Sequence, residues 1–231
     1  MSVYERENQY LRLLSEREHT VKELSEKLFV SEPTVRRDIV ALSKKELVTC
    51  RRARVSLRVH LPDRRIPLSL RDLEKNEEKR RIAARAAECV KDGDVIMLDA
   101  TTTAMHMLEY LEGFRNILVI TNGAKTAIEA ATRGIRTLCT GGELAPDAFC
   151  YIGPDAEAML RRYNADVAFF SCRGISDAGI ATDTSVLENN MRSIMIKNAK
   201  KSYLLCDKSK MGKTYLHSLV SVDDIDGVIT D

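Results

Sequence analysis

The chain has 231 residues, 44% apolar and 30% charged, with a formal net charge of +2. That supplies material for a globular core, and no apolar run approaches the roughly 18–20 residues a membrane span needs. The N-terminal Met-Ser-Val-Tyr-Glu-Arg-Glu-Asn lacks the apolar stretch of a signal peptide, so a cytoplasmic protein is expected.

Charge is unevenly spread. Residues 31–65 hold 10 basic against 4 acidic residues, whereas residues 81–231 hold 17 against 20. A basic block of this kind marks either a nucleic-acid-binding module or a merely basic solvated surface. Six scattered cysteines (Cys50, Cys89, Cys139, Cys150, Cys172, Cys206) include no C-x-x-C pair, and the four histidines show no metal-ligand spacing. The cysteines read as reduced, mostly core-packed thiols, with no zinc, disulfide or cofactor expected.

In chain order, residues 4–16 predict a helix with Tyr10, Leu11, Leu13 and Leu14 on or near one face. Thr20-Val-Lys-Glu23 is a capping box opening a short helix that turns Val21, Leu24 and Leu28 inward. Phe29 and Val30 make an apolar turn. Ser31 then caps a second helix, with Pro33 in its first turn and Val35, Ile39 and Leu42 continuing the stripe to about Ser43. Two short helices across a tight turn, after a leading helix, form a helix-turn-helix. Residues 47–52 and 55–59 alternate as two strands around Arg51–Arg54, which predicts a winged variant.

The next stretch carries two prolines and many charges, so the domains are read as 1–59, a linker at 60–76, and 77–231. Beyond it, helix 77–91, strand 95–98, helix 104–112, strand 117–120, helix 124–133, strand 135–139, strand 167–171, helix 184–200 and strand 203–206 alternate. This pattern predicts an α/β domain with a mostly parallel sheet.

Ligands in open α/β sheets bind beyond the carboxyl ends of the strands. Those ends carry Asp99, Thr101, Thr102 and Thr103; Thr121 and Asn122; Gly141 and Gly142; Arg173 and Gly174; and Asp207 and Lys210. Hydroxyls and N–H groups at a helix start suit a phosphate, glycines let backbone approach, and Asp or Asn can hold sugar hydroxyls. Glu188 and Arg192, four residues apart, either line the pocket mouth or form an ordinary surface pair. His106 follows the threonines and is expected to be a surface or packing histidine rather than one facing the pocket. On the second helix of the N-terminal unit, Ser31 and Thr34 suit phosphates, while Arg36 and Arg37 suit guanine edges or phosphates; Arg51, Arg52 and Arg54 of the wing add phosphate contacts. The rival reading of Arg36-Arg37-Asp38 is a solvated face with an internal salt bridge.

Val30-Ser-Glu-Pro-Thr-Val-Arg-Arg-Asp-Ile39 closely resembles the V-S-x-x-T-[IV]-R-R-D-[IL] stretch of the DeoR family of bacterial transcriptional regulators. The resemblance continues through Glu77–Ala83, Asp94–Thr103, Val119–Asn122, Gly141-Gly142, Ile152–Pro154, Gly174-Ile175, Asp207–Gly212 and Val228–Asp231. It implies a winged helix-turn-helix joined to a sensor domain related in fold to ribose-5-phosphate isomerase and the CoA transferases. It also implies a double-stranded DNA operator, a phosphorylated sugar or similar anionic effector, repression of carbohydrate genes, and a homo-oligomer (dimer or tetramer). The chain departs from the family at the wing, where Thr49–Arg54 replaces a Gly-Gly turn. It departs again at Thr101, which stands in place of a glycine, and at Arg192, which stands in place of a lysine. It also stops short of the family's last strand, which leaves one sheet edge missing or otherwise supplied. Two rival functions remain: a sugar-phosphate isomerase or acyl-transferase-like enzyme, and a regulator that has lost its effector.

Overall fold

The computed structural model describes residues 3–45, 47–58, 68–73, 75–146 and 148–231. The chain divides into two units, Met1–Glu74 and Lys75–Asp231.

In the first unit, α1 (Val3–Glu16) is followed by β1 (His19–Thr20), α2 (Val21–Leu28), α3 (Glu32–Lys44), β2 (Val48–Arg51) and β3 (Arg54–Leu57). The predicted capping box is present: Thr20 Oγ1 accepts from Glu23 N–H at 3.1 Å, and Glu23 accepts from Thr20 N–H at 2.7 Å. Tyr10, Leu11, Leu14, Val21, Leu24, Val35, Ile39, Leu42, Leu47, Val48 and Val55 make one core, so the 3.6-residue stripes of three helices meet the inner face of a small sheet. That sheet has the order β1-β3-β2, a wing whose strand β3, central in the sheet, also pairs antiparallel with β1 just before α2. Phe29 departs from the apolar-turn expectation. It ends α2 in the left-handed region with its side chain in solvent, and Val30 instead packs on the core.

The wing turn is built without glycine. Arg52 (φ 49°) and Ala53 (φ 60°) both occupy the left-handed region that two-residue hairpin turns require. That conformation costs a residue with a Cβ about 1–2 kcal/mol, of which glycine recovers part after its larger unfolded-state entropy. Ala53→Gly should therefore stabilise the N-terminal unit by about 0.5 kcal/mol, a rise of about 2–4 °C in its melting midpoint. A fall in that midpoint would show that the turn is not strained.

Of the stretch read as a linker, residues 60–67 and 74 lie outside the described residues. Residues 68–73 form α4 (Leu68–Leu73), with Leu68 buried, packed against α1.

The second unit runs α5 (Asn76–Ala87), β4 (Val95–Leu98), α6 (Thr102–Met105), α7 (Leu108–Leu111), β5 (Leu118–Thr121), α8 (Ala124–Thr132), β6 (Arg136–Cys139), β7 (Glu143–Ala145), β8 (Cys150–Ile152), α9 (Pro154–Leu160) and β9 (Ala165–Ser171). It continues with β10 (Gly174–Ile175), β11 (Ile180–Asp183), α10 (Val186–Asn198), β12 (Ala199–Leu205), β13 (His217–Ser221) and β14 (Gly227–Ile229). Six strands form one parallel sheet in the order β14-β12-β9-β4-β5-β6. Strand alternation sends Ile96, Leu98, Val119, Val167 and Phe169 to the face covered by α5, α6 and α7. Met97, Ile120 and Ala168 go to the face covered by α9 and α10. Both faces are buried, which is why the strands read as apolar runs. A smaller antiparallel sheet, β10-β11-β13, covers Phe170, Cys172, Leu204 and Cys206.

The expected helix 104–112 is two short helices, α6, capped by Thr101, and α7, separated at His106 and Met107. One edge of this sheet is formed by β14, which pairs parallel with β12. The hairpin β7–β8, α9 and the strands of the smaller sheet went unread, since two- to five-residue strands carry too few repeats of any period.

Candidate functional sites

The first candidate surface is α3. Ser31 caps it, accepting from Thr34 N–H at 3.4 Å, and the two hydroxyls share a hydrogen bond at 2.9 Å. The cap leaves Arg36 and Arg37 exposed on the helix's first two turns. Arg36 is 3.3 Å from Glu32 with both side chains in solvent, a pair worth little and easily exchanged for phosphate. Asp38 departs from the solvated-face reading. It is buried, accepts from Arg6 Nε at 2.9 Å and from the Tyr10 hydroxyl at 3.3 Å, and so fastens α3 to α1. Burial, together with the Asp38 charge, pushes the Tyr10 phenol up to about 12. On the wing, Arg51 and Arg52 are exposed, and Arg54 pairs with Glu18 at 2.6 Å in solvent.

The second candidate lies in the other unit, at its topological switch point. From β4 the chain adds β5 and β6 on one side and β9, β12 and β14 on the other, which opens a crevice at the carboxyl ends of β4 and β9. Asp99 sits there, 2% exposed. Its Oδ1 accepts from Thr101 N–H at 3.0 Å and from the Thr101 hydroxyl at 2.6 Å. Its Oδ2 accepts from Ser171 N–H at 3.0 Å and from Arg192 Nε at 3.0 Å. Four donors occupy this carboxylate, so Asp99 ties β4 to β9 and α10.

Arg192 is a buried residue of α10, not half of a surface pair. It is 3% exposed, and besides Asp99 it donates to Asp183 at 2.9 Å, Asn189 at 2.9 Å and Glu188 at 3.2 Å. Burial opposes its charge, but the three carboxylates outweigh burial and raise its pKa. A planar guanidinium can reach four partners in this geometry where an ammonium could not. Burial likewise works against the Asp183 charge, yet Arg192, the Thr184 and Ser185 N–H groups and Arg173 hold its pKa below the usual range.

Beside this network, Lys210 Nζ donates to the Ser171 hydroxyl at 3.0 Å and lies 3.9 Å from Asp207. Asp207 also accepts from Lys75 at 2.9 Å. Burial pushes the Asp207 pKa up, but the Ser209 hydroxyl, Lys75 and Lys210 bring it below the ordinary value. Thr101 stands without strain at φ −78°, ψ 153°, capping α6 through Ala104 N–H at 3.4 Å, so the missing glycine costs nothing there. Thr102 and Thr103 are buried in the first turn. Thr121 takes the Gly123 N–H at 3.0 Å, and Asn122 donates to Tyr151 O at 3.1 Å while its own Oδ1 is buried without a partner.

Gly141 (φ 63°) borders open space, whereas a Cβ at Gly142 would meet the Ala156 backbone nitrogen at 3.0 Å. Gly174 packs its Cα against Lys213: a Cβ there would lie 2.4 Å from the Lys213 carbonyl oxygen. His106 is buried between Asn76 at 3.4 Å and Glu109 at 3.7 Å, as expected of a packing residue. Sequence reading missed Ser171, Asp183, Lys75 and Thr140. Thr140, just past β6, has a buried hydroxyl without a partner. Only the strand-end position of Ser171 and Thr140 could have signalled them. Among the described residues, no group of three or more His, Cys, Asp or Glu could hold a metal ion, and no helix is long and apolar enough to cross a membrane.

Residues 6–56 match the DeoR-like helix-turn-helix domain, and residues 74–231 match the DeoR C terminal sensor domain. An uncharacterized HTH-type transcriptional regulator, YulB of Bacillus subtilis, is 33% identical, covering 100% of this chain and 90% of that one. The L-fucose operon activator of Escherichia coli is 30% identical, covering 95% and 90%. The lactose phosphotransferase system repressor of Staphylococcus epidermidis is 28% identical, covering 100% and 93%. Among solved structures, eIF2B delta from Chaetomium thermophilum shares the fold at a TM-score of 0.50 and 17% identity, covering 91% of this chain and 75% of that one. The three sequence relatives are named as transcriptional regulators over nearly their full length, which answers the isomerase alternative. With a capped recognition helix, a wing and a sensor domain in one chain, this protein belongs to the DeoR family of transcriptional regulators.

Proposed function

We propose that this chain is a cytoplasmic, homo-oligomeric regulator of carbohydrate genes. It binds a double-stranded DNA operator through α3 and the wing, acts by repression, and is controlled by a phosphorylated sugar at the β4–β9 crevice. The observation that carries the ligand reading is Lys210, held by Ser171 at the end of β9 next to the α6 start. An ammonium so placed faces an anion arriving over Thr102 and Thr103. An L-fucose operon activator and a lactose phosphotransferase system repressor among the relatives support the carbohydrate part of the reading.

In this reading Asp99, Thr101 and Arg192 shape the crevice, with Asp183 and Glu188 behind them. Contacts come from Thr102, Thr103, Thr121, Asn122, Gly141, Arg173 and Lys210. Gly142 and Gly174 allow the close backbone packing around them, and Asp207 orients Lys210. The effector changes DNA affinity only through unequal binding to two states, and DNA changes effector affinity by the same factor. A thermal-shift screen against phosphorylated sugars tests the ligand class, because binding to the folded state raises apparent stability. Lys210→Ala and Thr102→Val should then leave effector-free DNA binding intact yet abolish a response of about 5–150-fold, measured by fluorescence anisotropy with and without effector. Parent-like responses would move the site elsewhere. A silent screen at millimolar concentration would favour a regulator without an effector.

A further inference from the structure

Cys172 and Cys206 lie 34 positions apart in sequence but are neighbours in the sheet. β9 and β12 run parallel in a register that pairs Ser171 with Leu205, so the next residue on each strand is a cysteine. Phe170 and Leu204, two positions earlier, share one apolar cluster with both cysteines, which places the thiols on the same face. Adjacent strands are about 4.8 Å apart, inside the Cα separation a disulfide spans. Both thiols are reduced and buried. We propose that Cys172 and Cys206 are a redox-modifiable thiol pair that a hydroperoxide converts to an intramolecular disulfide.

The surroundings assign the roles. Contact with the Cys206 thiol, aided by the Lys210 and Arg192 charges against burial and Asp183, holds the Cys172 thiol below its ordinary value. Cys206, which also lies 3.5 Å from the Asp207 carbonyl oxygen, is pushed up by the Cys172 contact and burial. The Cys206 S–H donates to the Asp207 carbonyl oxygen, which holds its proton in place, so Cys172 is the attacking sulfur and Cys206 the resolving one. The Cys172 thiolate attacks one peroxide oxygen. The O–O bond breaks, the leaving oxygen takes up a proton as water or alcohol, and Cys172 becomes a sulfenic acid. The Cys206 sulfur then displaces hydroxide from Cys172, gives up its proton, and forms the S–S bond with release of water. Two thiols lose two electrons and one hydroperoxide gains them. The bond joins the two strand ends that carry Ser171 and Asp207, the residues holding Lys210.

The test uses the full chain in a Cys50→Ser background, which removes the exposed thiol. One equivalent of hydrogen peroxide should lower the mass by two hydrogens, remove two titratable thiols, and yield a peptide linking residues 172 and 206 that dithiothreitol releases. Cys172→Ser should slow thiol loss by about tenfold or more. Cys206→Ser should stop at a Cys172 sulfenic acid that dimedone traps. If either variant fails to fold, the peptide map of the background protein decides alone. A different cysteine pair, a Cys172 sulfinic acid without the crosslink, or unchanged thiols would overturn the proposal.

Discussion

Arg192→Ala should destabilise the sensor unit by about 3–5 kcal/mol, read as a fall in the urea midpoint of its unfolding transition. The guanidinium neutralises Asp99, Asp183 and Glu188 at hydrogen-bond distance, and the first two are buried with it. Truncation leaves two buried carboxylates without their ion-pair partner. Arg192→Lys keeps one positive charge but cannot donate in four directions, so its loss should be smaller. The cost should also depend on pH, with a definite sign. Asp183 has a depressed pKa in the folded chain, so its contribution is present above the unfolded value of about 3.8 and is lost as pH falls through the folded value. The difference between parent and Arg192→Ala should therefore be largest near neutrality and shrink below about pH 4. A neutral-pH loss under about 1 kcal/mol would show that water or a rearranged side chain replaces Arg192.

Removing both Arg36 and Arg37 should abolish specific DNA binding while leaving the fold intact. Each substitution by alanine should cost about 1–3 kcal/mol where the side chain reads a base edge. Each lost phosphate contact should lower the salt slope by about one. Stability should hardly change, because both side chains are in solvent and the Glu32 pair at 3.3 Å is an exposed one. Asp38, next in sequence, should behave in the opposite way. It is buried against Arg6 and Tyr10, so its loss should cost stability first and DNA affinity as a consequence. If the Arg36/Arg37 double variant bound operator DNA like its parent at matched salt, α3 would not be the recognition helix.

The contrast between Arg37 and Asp38 shows what could be read from sequence. Local patterns were legible because their physics is local. The Thr20–Glu23 box, the Ser31 cap, the apolar stripe of α3 and the apolar runs of β4, β5 and β9 each satisfy themselves within a few residues of chain. They were sufficient for a winged helix-turn-helix, a parallel sheet, and the strand ends where a ligand site would sit. Whether a polar side chain at such an end faces a ligand or another part of the protein depends on residues distant in sequence. Asp99 and Arg192 are 93 positions apart, Lys75 and Asp207 are 132 apart, and Ser171 and Lys210 are 39 apart. Only the folded sheet decided that Asp99 ties β4 to β9 and α10, that Arg192 is buried, and that Cys172 and Cys206 are neighbours. Burial makes each of these pairings compulsory, since a charge or donor taken out of water must find a partner wherever the chain supplies one.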